Sequence, residues 1–220
     1  MRKILFVVTG GAIGSLPYFR SKVAELKPVG IICADSGAGH LYPVGLIPDI
    51  IIGDMDSLGP ELLNHFKERG SMIITYPEAK NETDTELALD YAIGMGPDDI
   101  YVFGACGTRI DHTLANLSLL VPGIKSNVKI TLIDEWCEIF MVSGKHVIEG
   151  EAGQTVSLLP FSGTVTGITL EGFEYPIENG VMEIGKPYGV SNRLKSSRGV
   201  ITIGSGHLLV IRYFKAGLFP

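Results

Sequence analysis

Cysteine is scarce in this chain, and so is charge. Cys33, Cys106 and Cys137 are odd in number among 220 residues. They lie far apart with no C-x-x-C, which argues against a disulfide framework and against a thiolate zinc site. They read as reduced core thiols of a cytoplasmic protein. Charged residues make up 19% of the chain, and 18 basic against 24 acidic side chains leave a net charge of −6. No basic face is available for a phosphate backbone, so a nucleic-acid partner is excluded. Long apolar runs are missing too. None approaches the roughly 18 residues of a spanning helix, so no membrane partner is expected. The apolar run from Ile4 to Val8 stops at Thr9-Gly10-Gly11, short of a signal-peptide core, and reads as a first strand.

What is present is alternation. Short β-rich runs over 4–8, 29–33, 50–52, 72–75, 100–103 and 130–133 are each followed by Gly, Asp or Pro. Between them lie helical stretches over 15–26, 60–69, 83–95 and 108–120. This pattern predicts βαβ units: an α/β, Rossmann-like, mostly parallel sheet with helices on both faces. From about residue 136 the pattern changes to short alternating runs over 155–159, 163–170, 180–184, 199–203 and 207–213, separated by Gly and Pro turns. These read as an all-β sandwich. The expected division is an α/β domain over 1–138 and a sandwich over 139–220. Gly189-Val190-Ser191-Asn192-Arg193-Leu194 reads as a loop.

In such a sheet the ligand sits outside the carboxyl ends of the strands. The central stretch is Ile50-Ile51-Ile52-Gly53-Asp54-Met55-Asp56-Ser57. Near-extended backbone would project Asp54 and Asp56 to one side, where their charges call for a cation, most simply Mg²⁺. A surface turn, with Asp54 capping a backbone N–H, is the alternative. Asp35, Asp54, Asp56, Asp84 and Asp111 would share one rim. Thr83-x-x-Glu86 and Thr108-x-x-Asp111 also have the form of capping boxes. Gly10–Gly14, the turn from Ser36 to Gly39 and the turn from Gly104 to Arg109 offer backbone N–H groups to an anion. Lys80 and Arg109 supply positive charge within reach of phosphate oxygens.

The motifs then match a family. Ala34-Asp35-Ser36-Gly37, Gly53-Asp54-Met55-Asp56-Ser57, Lys80-Asn81-Glu82-Thr83-Asp84, Gly104-x-x-Gly107-x-Arg109-x-Asp111-His112-x-x-x-Asn116 and Gly189-Val190-Ser191-Asn192 stand in the order seen in thiamine pyrophosphokinases, which this chain resembles. The resemblance implies a homodimer with active sites shared between chains, transferring a pyrophosphoryl group from ATP to the hydroxyl of thiamine. It assigns Asp54, Asp56 and Asp84 to Mg²⁺ and catalysis, with Asp111 also catalytic. ATP contacts would come from Asp35, Ser36, Gly53, Ser57, Lys80, Gly104, Arg109, His112 and Asn116, and thiamine contacts from Ser191 and Asn192. Asn81 and Thr108 depart from the family pattern of an acid after the lysine and a glycine before the arginine. A Mg²⁺-dependent nucleotide or pyrophosphate hydrolase and a non-catalytic nucleotide sensor are the alternatives, separated by whether ATP consumption requires thiamine.

Overall fold

The computed structural model describes residues 2–216. The chain divides between Glu135 and Trp136 into two compact units. The first contains β1 (Ile4–Val8), α1 (Leu16–Leu26), β2 (Gly30–Ala34), β3 (Ile50–Gly53), α2 (Pro60–Glu68), β4 (Met72–Thr75), α3 (Asp84–Gly94), β5 (Asp99–Phe103), α4 (Ile110–Ser118), α5 (Leu120–Ser126) and β6 (Lys129–Ile133). Its strands pair in parallel in the order β6-β5-β1-β2-β3-β4. β2 and β3 are buried throughout. A parallel sheet is covered on both faces, which is why these strands are unbroken runs of apolar and small residues.

α1 begins at Ser15, whose hydroxyl accepts from the Tyr18 N–H, and it carries proline in its first turn. Its Phe19 is fully buried against Phe6 of β1 and Phe103 of β5, with ring centroids 6.4 and 4.9 Å away. Each such pair contributes about 0.5–1.5 kcal/mol beyond its buried area. That packing fixes α1 over the middle of the sheet. The single helix expected over 108–120 is in fact two, α4 and α5, meeting at Leu119. Pro122 has no N–H to give to the Ser118 carbonyl, so one continuous helix is barred there.

The second unit is all β. It comprises β7 (Cys137–Val142), β8 (Lys145–Glu149), β9 (Thr155–Pro160), β10 (Thr164–Glu171), β11 (Ile177–Glu183), β12 (Asn192–Arg193), β13 (Arg198–Thr202) and β14 (Leu208–Tyr213). Antiparallel pairing joins β12-β9-β14-β7 and, separately, β11-β10-β13-β8. Phe140, Leu158, Ile168, Met182, Ile201 and Val210 are among the residues of the core that the strands share. β7 ladders with β14 from Cys137 to Val142, so a division after Glu138 would cut a strand. The stretch read as a loop over 189–194 contains β12, a two-residue strand on β9. No helix among the described residues is long and apolar enough to cross a membrane.

Candidate active site

In the first unit the chain runs from β1 outward to β4 and then returns to place β5 on the other side of β1. Strand order therefore reverses between β1 and β5, the position at which a crevice opens beyond the carboxyl ends. A cavity of about 540 Å³ lies there. The turns after β1, β2 and β5 line it, together with the loop entering α3 and residues His112, Thr113 and Asn116 of α4. The turns approach one another too closely for side chains. A Cβ on Gly11 would stand 2.1 Å from the Gly104 carbonyl oxygen.

Three carboxylates converge here, and two of them, Asp35 and Asp84, line the cavity. Asp35, Asp54 and Asp84 each bring an oxygen to within 4.8 Å of the others. Asp35 is buried at the end of β2 and held at φ 40°, a conformation that aspartate tolerates better than most residues. Asp84 is the first residue of α3, fixed by Thr83 as N-cap, whose hydroxyl accepts from the Glu86 N–H at 3.1 Å. Gly53 lets these acids close in, since a Cβ there would lie 2.8 Å from Asp35 Cβ and 3.3 Å from Asp84 Cγ.

Lys80 stands against the cluster, its Nζ 3.0 Å from Asp84 Oδ1 and 3.4 Å from Asp54 Oδ2. Burial alone would lower its pKa, but the two carboxylates leave it raised. Asp54 is pushed down, first by the Asp56 backbone N–H and also by Lys80. Asp35 is pushed up by burial, reinforced by Asp84 and Asp54 and opposed by Ser57 and the Ser36 N–H. Its Oδ1 is buried with no hydrogen-bond partner. Three converging hard oxygens, with Asp35 Oδ1 and Asp84 Oδ1 both accepting no hydrogen bond, fit a small divalent cation such as Mg²⁺.

Asp56, expected beside Asp54, lies outside the cluster. Met55 adopts φ 65°, so the backbone turns here instead of extending. Asp56 is exposed; its carboxylate accepts from Ser57 Oγ at 2.6 Å, while its N–H donates to Asp54 Oδ1 at 3.2 Å. The turn alternative and the acidic cluster are thus both realised at Asp54. Asp111 is also outside the cluster, exposed and paired bidentately with Arg109 at 3.0 and 2.5 Å. That pairing holds its carboxyl far below the usual range. Thr108 makes no capping box, because α4 begins at Ile110 with Arg109 at the cap.

Ser36, Ser57, Lys80, Gly104, Arg109, His112 and Asn116 all line the cavity. The Asn116 amide is committed: it is buried and donates to the Ala105 carbonyl at 2.8 Å, pinning the turn after β5. Thr113 assists by accepting from the Gly107 N–H at 3.2 Å. Sequence reading missed Thr113, Thr9, Glu78 and Glu82. The two glutamates flank Lys80 in one loop and were legible by that neighbourhood; Thr9 and Thr113 carried no motif.

Ser191 and Asn192 belong to the second unit. Ser191 is exposed at φ 61° and its N–H donates to Ser157 Oγ at 3.0 Å. Asn192 is buried, accepting from the Tyr175 and Arg193 N–H groups at 3.1 and 2.8 Å and donating to the Tyr175 carbonyl at 2.8 Å.

A parallel α/β unit with an acidic crevice at its switch point, followed by a β-sandwich, defines a two-domain protein whose ligand site lies at the strand ends of its first unit. Comparison makes this specific. Residues 27–132 match the description "Thiamin pyrophosphokinase, catalytic domain" and residues 145–208 match "Thiamin pyrophosphokinase, vitamin B1 binding domain". The chain is 35% identical to thiamine pyrophosphokinase of Bacillus subtilis, over 96% of this chain and 98% of that one. The crystal structure of a Bacillus subtilis thiamine pyrophosphokinase superposes with a TM-score of 0.85 at 33% identity, over 97% of this chain and all of that one. Thiamin pyrophosphokinase from Candida albicans, at 21% identity and covering 97% and 90%, shares the fold with a TM-score of 0.84. The chain belongs to the thiamin pyrophosphokinase family.

Proposed function

We infer that this chain transfers a pyrophosphoryl group from ATP to the hydroxyl of thiamine, giving AMP and thiamine diphosphate. The observation that carries the reading is the convergence of Asp54 with Asp35 and Asp84, two acids that line the switch-point cavity, in a chain of this family. Asp35, Asp54 and Asp84 would hold Mg²⁺. When bound, the ion neutralises polyphosphate charge and helps to keep the attacked phosphorus in line.

The chain's own groups do the rest. The turns after β1, β2 and β5, which include Ser36 and Gly104, would offer backbone N–H groups to phosphate oxygens. Lys80 contributes a flexible ammonium and Arg109 a planar fork, which leaves Asp111 to donate two parallel bonds to a phosphate. Asn116 serves by holding the β5 turn. On the sandwich, Ser191 presents its hydroxyl to thiamine, while Asn192 shapes the loop that carries it. An acidic cavity favours a cationic thiazolium over a neutral alcohol.

We further assign a homodimer in which the acids of one protomer work with the Ser191 loop of its partner. The cytoplasm is the assigned compartment, a reading supported by the scarcity and wide spacing of cysteine, with no C-x-x-C in the sequence.

The test is AMP release from Mg-ATP with and without thiamine. Thiamine-dependent AMP, with thiamine diphosphate formed in equal amount, is expected. ATP consumption independent of thiamine would overturn the transfer reading in favour of hydrolysis.

A further inference from the structure

Lys80 occupies an unusual place for a residue that is to grip phosphate. Its Nζ lies between Asp84 Oδ1 and Asp54 Oδ2, and only 11% of its side chain is exposed. The third acid, Asp35, keeps a buried oxygen with no hydrogen bond. The ammonium thus ion-pairs with two of three converging carboxylates, offsetting one of their charges, and makes no ion pair with the third. A divalent ion entering this cluster would meet a like charge already seated on two of its ligands.

We propose that Lys80 is the built-in counter-ion of the free acids, displaced when a divalent cation enters and taken up by the polyphosphate. Metal and polyphosphate binding are then coupled through one side chain. The inference rests on the metal reading of the three aspartates and deepens it. The geometry allows the exchange without moving the sheet, because Lys80 lies on the segment between β4 and α3 and lines the same cavity as the glycine turns. A four-carbon stem carrying three donors can change partners by rotamer alone. Coupling of this kind is reciprocal: a polyphosphate that draws Lys80 away frees the acids for the metal, and a metal that expels Lys80 prepares the site for polyphosphate.

The experiment measures Mn²⁺ binding to the nucleotide-free protein by electron paramagnetic resonance. Lys80→Met and Lys80→Gln should each bind Mn²⁺ at least about tenfold more tightly than wild type, because the competing charge is gone. Lys80→Arg should stay as weak as wild type. In EDTA, tripolyphosphate should bind the Met and Gln variants more weakly than wild type in calorimetry. In unmodified protein, acylation of Lys80 followed by mass spectrometry should rise on adding Mn²⁺ and fall again with tripolyphosphate. Unchanged or weaker Mn²⁺ binding in both neutral variants, with intact circular dichroism, overturns the coupling. So does a Lys80 reactivity that ignores Mn²⁺. Asp84→Asn, run alongside, separates the two readings. If it loses Mn²⁺ while the Lys80 variants gain nothing, the coupling alone fails; if it binds Mn²⁺ as wild type does, the metal assignment itself fails.

Discussion

Asp54 and Asp56 are two residues apart and differ completely in setting. Asp54 converges with Asp35 and Asp84, whereas Asp56 faces solvent beyond the Met55 turn. Asp54→Asn and Asp84→Asn should each lower turnover by about a hundredfold or more, since an amide keeps the shape but loses the charge. Asp56→Asn should cause a much smaller loss in the same steady-state assay. An Asp56 variant as damaged as the Asp54 variant would return Asp56 to the metal set.

Asp35 carries a second residue-scale prediction. Its folded pKa is raised by burial, so its contribution to stability is fully present below the ordinary carboxylate range and is lost as pH rises through the folded value. At neutral pH without metal its charge therefore opposes folding. Asp35→Asn should melt at a higher temperature than wild type in EDTA at pH 7, and the difference should shrink as pH falls through that window. The same variant should be nearly inactive, a case of stability gained where function is lost. A melting temperature below that of wild type in EDTA would refute the burial argument.

At the scale of elements, the site depends on turns being held. Thr83 caps α3, Asn116 ties α4 to the β5 turn, and Asn192 ties β12 to the backbone of Tyr175. Asn192→Ala should lower unfolding free energy by about 1–3 kcal/mol, because the buried amide's three part-buried hydrogen bonds to the backbone are lost. Urea denaturation of the substrate-free protein measures this. A loss of thiamine affinity with no change in stability would instead make Asn192 a direct ligand. Turn chemistry of this kind was only partly legible. Thr83-x-x-Glu86 and Thr108-x-x-Asp111 have the same form in sequence, yet only the first forms a cap, because α4 begins two residues after Thr108.

At the scale of the whole molecule, β11 is an edge strand paired on one side only, to β10. Val181 on it, and Ile184, Tyr188 and Val190 just after it, are exposed. An unpaired strand edge beside apolar side chains is a surface that natural proteins cover, and twofold self-pairing is the commonest cover. Sedimentation equilibrium should therefore give a dimer, and Val181→Glu with Ile184→Glu should shift it toward monomer and reduce activity in parallel. A fully active monomer would overturn both the dimer and the shared site.

By itself the sequence determined the parallel sheet of the first unit, the sandwich character of the second and the identity of the family. These rest on periodicity, on turn residues and on motif order, all of which are local and additive along the chain. It also marked Asp35, Asp54, Asp84 and Lys80 as residues of interest. Tertiary structure alone decided how they combine. Asp35 joins the cluster while Asp56 leaves it, Asp111 is spent on Arg109, and Lys80 sits on acids. Those outcomes turn on one backbone angle at Met55, on the missing Cβ of Gly53 and on contacts between turns far apart in the chain. Spacing along a sequence specifies direction only while the backbone stays regular, and active-site turns are where it does not.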